Sequence, residues 1–262
     1  MNVRPIRTRV FREGDDLVAF IRAYVPKLKN GSVLAVTSKI VALSEGRTAH
    51  VKNRKEKEAL IKKESEWALQ THPEWWWTEK DGALLVNAGI DDSNANGKLV
   101  LLPRDSFASA QNLRSGLLSY YAPPPPKASG GHSKASKDKQ KNKIRKLGII
   151  ITDSRISPMR AGVTGLALGY AGFRGVRDYR GKKDIFGRKL KVTMTDIADS
   201  LATAATLVMG EGAERQPLCI IEDAPVDFVE RVNRKEVLIS AKDDMYAPLF
   251  KNIRTHRPKR KK

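Results

Sequence analysis

Apolar positions along this chain follow three rhythms, and each predicts a different kind of element. Val33-Leu34-Ala35-Val36 is an unbroken apolar run that opens onto the polar triplet Thr37-Ser38-Lys39, the pattern of a strand buried on both faces. Similar runs predict strands in Ala83–Ile90, which leads into an Asn/Asp/Gly turn, in Leu99–Pro103, in Pro217–Ile221, and in a short segment ending at Asp153. Helical spacing is the second rhythm. Leu17, Phe20, Ile21, Tyr24 and Leu28 predict a helix capped from Gly14-Asp15-Asp16 and stopped at Gly31. Ile197, Leu201, Ala204, Ala205 and Val208 form one apolar stripe, so residues 193–210 predict the clearest helix, with Thr193 or Thr195 as cap and Gly210 as stop. A further helix is expected at Ser106–Ser119, and residues 52–70 read as charged and mostly helical. The third rhythm, a weak alternation from Val3 to Phe11, predicts an edge strand. Trp75, Trp76 and Trp77 read as packing residues, and residues 239–250 as mixed.

Two stretches break these rhythms. After Asp153 the chain is dense in glycine, arginine and aspartate as far as Arg188, which predicts a long loop at a strand end, where binding chemistry tends to sit. Residues 122–146 are basic, low in complexity and nearly devoid of large apolar side chains. Such a segment buries too little surface to offset its ordering entropy and is expected to be a disordered insertion. The expected organisation is one domain over residues 1–250, carrying that insertion, followed by a basic tail at 251–262.

These two segments also explain the charge. The formal net charge is +20, and Lys127–Lys146 and Lys251–Lys262 each contribute +7, leaving about +6 on the body. The basic arms are expected to be solvated and to make at most weak, nonspecific contact with nucleic acid. The single cysteine, Cys219, lies in an apolar run and reads as a core residue; one cysteine excludes an internal disulfide and fits a reducing, cytoplasmic setting. No apolar run approaches the roughly 20 residues of a membrane span, and the N-terminus lacks the apolar stretch of a signal peptide.

Chemistry-bearing residues recur at turns. Asp91, Ser93 and Asn94 follow one strand, Asp153 and Ser154 another, and Glu211 the long helix; Asp178, Arg180, Asp184 and Arg188 fill the glycine-rich stretch. Carboxylates and hydroxyls from separate strand and helix ends suit a hard divalent cation completed by substrate phosphates. They equally suit turn capping and pairing with nearby arginines. No Walker A loop, dinucleotide fingerprint or serine-nucleophile elbow is present, and His50, His72, His132 and His256 are scattered.

The segments VLAVTSKIVALSEGR, NAGIDDSN, LLPRDSFASA, IITDSRISPMRAG, GLALGYAG, RDYRGKKDIFGR, DIADSLATAATLVMG and KDDMY occur in this order between Thr8 and Phe250. Together they resemble the coenzyme F420-0:L-glutamate ligase family. The resemblance implies an α+β fold, neither P-loop nor Rossmann, assembled as a homodimer. It implies a GTP-dependent enzyme that joins the amine of L-glutamate to a carboxylate of a deazaflavin cofactor through an acyl phosphate, with two Mg²⁺ or Mn²⁺ ions and K⁺ as a further candidate. Asp91, Asp153, Ser154 and Glu211 match the metal ligands. Ser38 and Lys39 match the phosphate-side turn and Asn94 a nucleotide contact. Met209, Gly210, Glu211, Gly212, Ala213, Glu214, Arg215 and Gln216 match the nucleotide loop. Asp91, Asp153 and Arg160 are the expected catalytic residues, with Arg160, Arg180 and Arg188 as carboxylate or phosphate clamps.

The chain also departs from the family pattern. Leu43 replaces a lysine that contacts nucleotide, with Lys39 as a substitute cation. Thr8-Arg9-Val10-Phe11 alters the base-recognition entry, and Ile156-Ser157-Pro158-Met159-Arg160 alters a loop near the acceptor. The same chemistry on another acceptor, such as a folate, and a non-enzymatic RNA-binding role therefore stand as alternatives.

Overall fold

The computed structural model describes residues 1–121, 144–240 and 243–250. Its centre is a five-stranded sheet built from β1 (Asn2–Ile6), β12 (Leu218–Glu222), β2 (Ser32–Thr37), β8 (Leu147–Ile156) and β9 (Val163–Ala171), in that spatial order. Neighbours are antiparallel except β2 and β8, which run parallel from Ser32↔Leu147 to Thr37↔Thr152. As expected, β1 is an edge strand, though it ends at Ile6 rather than Phe11.

The unbroken apolar runs follow from burial on both faces. Leu34, Val36, Ile149 and Ile151 pack with Phe20, Ile21, Leu113 and Leu117 of α1 (Leu17–Tyr24) and α4 (Ser106–Tyr121). Their alternates Val33, Ala35 and Ile150 pack with Ile197, Leu201 and Ala205 of α5 (Ile197–Met209). Cys219 joins this second cluster, fully buried, and burial pushes its thiol up to about 11.

A smaller assembly flanks the main sheet. It comprises α2 (Ser38–Ser44), the ladder of β3 (Thr48–Ala49) with β7 (Leu99–Val100), α3 (Arg54–Glu64), and an antiparallel sheet of β4 (Trp67–His72), β5 (Trp75–Lys80) and β6 (Ala83–Val86). Ile61, Ala68, Trp76, Ile90 and Leu99 form its core. The remaining elements are a ribbon of β10 (Val176–Asp178) with β11 (Met194–Asp196), and α6 (Ala247–Phe250). The whole is a mixed α and β architecture with several separate sheets.

Several boundaries differ from the sequence-based expectation, each for a physical reason. Helix α1 stops at Tyr24, capped by Val25, because Pro26 follows and disfavours helical backbone in the residue before it. The charged helix ends at Glu64, not near residue 70; Trp67–His72 instead pairs with β5. The cap of α5 is Asp196, whose carboxylate accepts the Asp199 N–H at 2.9 Å, rather than Thr193 or Thr195. Gly210 ends that helix with φ +79°, as its position predicts.

The largest difference is after Asp153. The strand does not end there but runs on to Ile156 and turns back as β9, so the glycine-rich GVTGLALGYA is a strand. Its glycines make room for helices. A Cβ on Gly165 would lie 2.4 Å from the Ala202 carbonyl of α5, and one on Gly169 the same distance from Ser106 backbone at the start of α4. Four residues apart, the two would share a face of a regular strand. Leu168 is an extra residue in the pairing of Ile151↔Gly169 and Thr152↔Ala167, and this bulge turns them to opposite sides.

The basic insertion expected to be disordered, 122–146, and the basic tail, 251–262, lie outside the described residues, apart from Ile144–Lys146. These lead into β8 with Ile144 buried, and Asn30 accepts the backbone N–H groups of Arg145 and Lys146. No described helix is long and apolar enough to cross a membrane.

Candidate active site

A cavity of about 970 Å³ opens where the parallel pairing stops. Thr37 and Thr152 are the last paired residues of β2 and β8; Ser38 and Asp153 come next and both line the cavity. Carboxyl ends of neighbouring parallel strands leave a crevice because their following segments diverge. Here one chain becomes α2 and the other the β8–β9 hairpin. The turn at Asp91–Asn94 and the loop from Met209 to Pro217 complete the charged part of the lining.

Asp91 is held in a backbone bridge to Val100 and followed by a tight turn in which the Ser93 N–H and hydroxyl both bond its carboxylate at 2.7 Å. The Lys39 ammonium donates to Asp91 Oδ2 at 2.7 Å and also to the Ser93 carbonyl at 2.7 Å. Burial alone would raise the Asp91 carboxyl; Lys39 and Ser93 outweigh it and hold it below the ordinary range. Asp153 behaves oppositely. Burial, with Asp91 and Glu211 adding negative charge, pushes it up to about 7 against the Ser154 N–H and Lys39.

Ser154 donates its hydroxyl to Glu211 Oε1 at 2.6 Å. Glu211 stands directly after the Gly210 cap, so the end of α5 sets its position. The loop beyond is tied at both sides of the cavity mouth: Thr8 N–H donates to Arg215 O at 2.9 Å, and Thr37 N–H to Pro217 O at 3.0 Å. Within it, Gly212 N–H donates to the Glu214 carboxylate at 2.8 Å.

The expected residues therefore meet. Ser38, Lys39, Asp91, Asn94, Asp153, Ser154 and every residue from Met209 to Gln216 line this one cavity. Three arginines do not. Because β8 continues to Ile156, Arg160 is carried out to the exposed turn of the hairpin, away from the lining. Arg180 is paired with Asp178 and Arg188 with Asp184 on the separate ribbon that includes β10 and β11, also outside the lining.

Other side chains do line the cavity. Arg155, adjacent to Ser154, lines the cavity, pairs with Asp199 at 3.0 Å, and keeps a buried Nε with no hydrogen-bond partner among the described residues. Arg9 and Trp75 line it too. Only adjacency to the Asp153-Ser154 pair would have singled out Arg155 in the sequence. Leu43 faces this cavity where the family pattern has lysine.

The donors are oxygen atoms, which suits a hard cation better than a thiophilic one. Among the described residues no group of three or more His, Cys, Asp or Glu side chains is placed to hold a metal ion by itself. Asp91, Asp153, Ser154 and Glu211 instead leave open positions of the kind that substrate phosphates complete. Burial is the main cause of the raised Asp153 carboxyl; the negative charge that Asp91 and Glu211 add to it is what a cation would relieve, and in that respect these oxygen donors fit one.

The F420-0:gamma-glutamyl ligase family matches residues 5–123 and 119–223 of the chain. Among curated proteins, the chain is 32% identical over 237 residues to the coenzyme F420:L-glutamate ligase of Methanococcus maripaludis strain S2, covering 89% of this chain and 86% of that one. It is 33% identical over 247 residues to the protein of the same name from Archaeoglobus fulgidus, covering 87% and 90%. The corresponding protein of Methanopyrus kandleri is 32% identical over 234 residues, covering 82% and 83%. With the family match spanning most of the chain and the acids its motifs specify gathered in one cavity, the chain is an enzyme of the F420-0:gamma-glutamyl ligase family.

Proposed function

We propose that this protein is a GTP- and divalent-metal-dependent ligase that forms an amide bond between the amine of L-glutamate and the carboxylate of coenzyme F420-0. The observation that carries this reading is the convergence of Asp91, Asp153 and Glu211, from three distant parts of the chain, on a cavity that also holds Lys39. A carboxylate does not react with an amine near pH 7, so its oxygen must first become a leaving group. Transfer of the GTP γ-phosphoryl group to the acceptor carboxylate gives an acyl phosphate and GDP. The glutamate amine then attacks the acyl carbon, the C–O bond to phosphate breaks, and inorganic phosphate and a proton leave.

Phosphoryl transfer needs alignment and charge neutralisation more than covalent help. Asp91, Asp153, Ser154 and Glu211 would hold Mg²⁺ or Mn²⁺, which supplies that neutralisation when bound. Lys39 would contribute a cation on the phosphate side, and Ser38 with the Met209–Gln216 loop would offer hydroxyl and backbone donors around the nucleotide. The nucleotide positions and a homodimeric assembly belong to the same proposal. Incubating the protein with labelled glutamate, GTP, Mn²⁺ and F420-0 should give a product heavier by one glutamyl residue in mass spectrometry. No product with F420-0, and product with a folate acceptor instead, would keep the chemistry and overturn the acceptor.

A further inference from the structure

The lining of the cavity divides in two. Lys39, Asp91, Asp153 and Glu211 supply charge; Trp75, Leu85, Ile156 and Val163 supply apolar surface from the three-stranded sheet and the end of the β8–β9 hairpin. The two parts are continuous: Leu85 packs on Leu166, which pairs directly with Asp153 across the hairpin. We infer that Trp75 is the stacking platform for the planar heteroaromatic ring of the acceptor, an inference that rests on the ligase reading above.

The three consecutive tryptophans have different surroundings. Trp76 is 7% exposed, in the small core under Lys62, whereas Trp75 is 58% exposed and lines the cavity. Strand alternation places Trp75 on the face opposite Trp76. Its indole is not loose there, because the His72 ring lies against it at 5.0 Å between centroids. The backbone is fixed from both sides. Asn87 Oδ1 accepts the Trp76 N–H at 2.8 Å and Asn87 Nδ2 donates to the Glu74 carbonyl at 3.4 Å, bracketing Trp75. Asn87 has a positive φ of 53° and opens the turn that leads to Asp91. One side chain thus ties the backbone on either side of Trp75 to the turn that leads to Asp91.

A planar ring suits this surface. The nucleotide's phosphates call for charge and hydrogen-bond donors, and that part of the lining, Ser38, Lys39 and the Met209–Gln216 loop, comes from other elements than the strand that carries Trp75. Trp75 shares its part of the lining with the apolar Leu85, Ile156 and Val163, while the His72 ring lies against the indole and the Asn87 amide is already engaged with backbone. A flat ring recognised by its face needs an aromatic surface and little else.

The test uses the full chain with Trp75→Ala and Trp75→Phe. Trp75→Ala should raise the KM for F420-0 about tenfold, the scale of one aromatic stacking contact, with kcat and the KM for GTP changed less than about twofold. Trp75→Phe should recover most of the loss. An unchanged acceptor KM, or a raised KM for GTP in its place, overturns the assignment. If the wild-type protein turns over no F420-0, the ligase reading is what has failed, and ring binding decides separately. Weaker binding of 5-deazariboflavin or of pteroic acid by Trp75→Ala then supports the platform and shows which ring it takes; equal binding of both by the two proteins rejects it.

Discussion

Ser154 and Glu211, 57 residues apart in the chain, meet in a 2.6 Å hydrogen bond inside the cavity. This contact joins the β8 strand that carries Asp153 to the loop behind α5, so two separately folded elements share one carboxylate–hydroxyl pair. Threonine keeps the hydroxyl and alanine removes it. Ser154→Thr should retain activity within about threefold, while Ser154→Ala should lose at least about tenfold, the loss of one hydrogen bond to a charged group. Equal activities of the two variants would detach the hydroxyl from function.

The ion pair of Lys39 with Asp91 lies at a partly open site, with the Asp91 side chain 45% exposed. Pairs of this kind contribute about 0–1 kcal/mol to folding. Lys39→Met should therefore melt close to the wild-type temperature but raise the KM for GTP at least about tenfold, because Leu43 offers no second cation. Thermal melts and initial rates measure the two effects separately. A GTP KM within twofold of wild type would remove Lys39 from the phosphate side.

Asp153 makes a prediction about pH. Burial first, then Asp91 and Glu211, push its carboxyl up to about 7, well above the ordinary value near 3.9. The folded protein thus holds this proton more tightly than the unfolded chain does. Its contribution to stability is present below pH 4 and declines as pH rises to 7. An asparagine at this position would still accept the Ser154 N–H, now 2.9 Å from Asp153 Oδ1, and would carry no charge. Metal-free Asp153→Asn should be more stable than wild type at pH 8, by at most about 4 kcal/mol at 1.4 kcal/mol per pK unit, and should lack the decline between pH 4 and 7. It should also be inactive. Parallel stability curves for the two proteins would contradict the assignment of the raised carboxyl.

Gly165 lies where β9 touches α5. An added Cβ would sit 2.4 Å from Ala202 carbonyl atoms and 2.6 Å from Thr203 N, all backbone that no rotamer change can move. Gly165→Ala should destabilise the protein by roughly 2–4 kcal/mol, within the range of overpacking in a closed interior. Denaturant titration gives the number; a loss below about 0.5 kcal/mol would show that the helix can move away.

These residues also show what is legible in the sequence. The run Val33–Val36 reads as a doubly covered strand because its alternate side chains do face two helical layers. The stripe from Ile197 to Val208 reads as a helix because one face of α5 packs on the sheet. Gly165 and Gly169 read as loop, since glycine weakens a strand unless another backbone must come close, and only the assembled helices reveal that need. The acids at strand and helix ends are recognisable by their turns and family motifs. Arg160 reads as a site residue only while β8 is thought to end at Asp153; the extra length of the strand carries it outward. Trp75 reads as packing because nothing in three consecutive tryptophans tells which one faces a cavity. Alternation distinguishes them once Trp76 is known to point into the core.

Manganese binding tests the central claim most directly. Titrating Mn²⁺ into the protein with a non-hydrolysable GTP analogue, followed by electron paramagnetic resonance of the free ion, should show two ions bound per chain. Asp153→Asn and Glu211→Gln should each lose ion binding while keeping the wild-type circular dichroism spectrum. Unchanged stoichiometry and affinity in both variants would mean that the acids gathered between β2, β8 and the end of α5 do not hold the metal on which the proposed reaction depends.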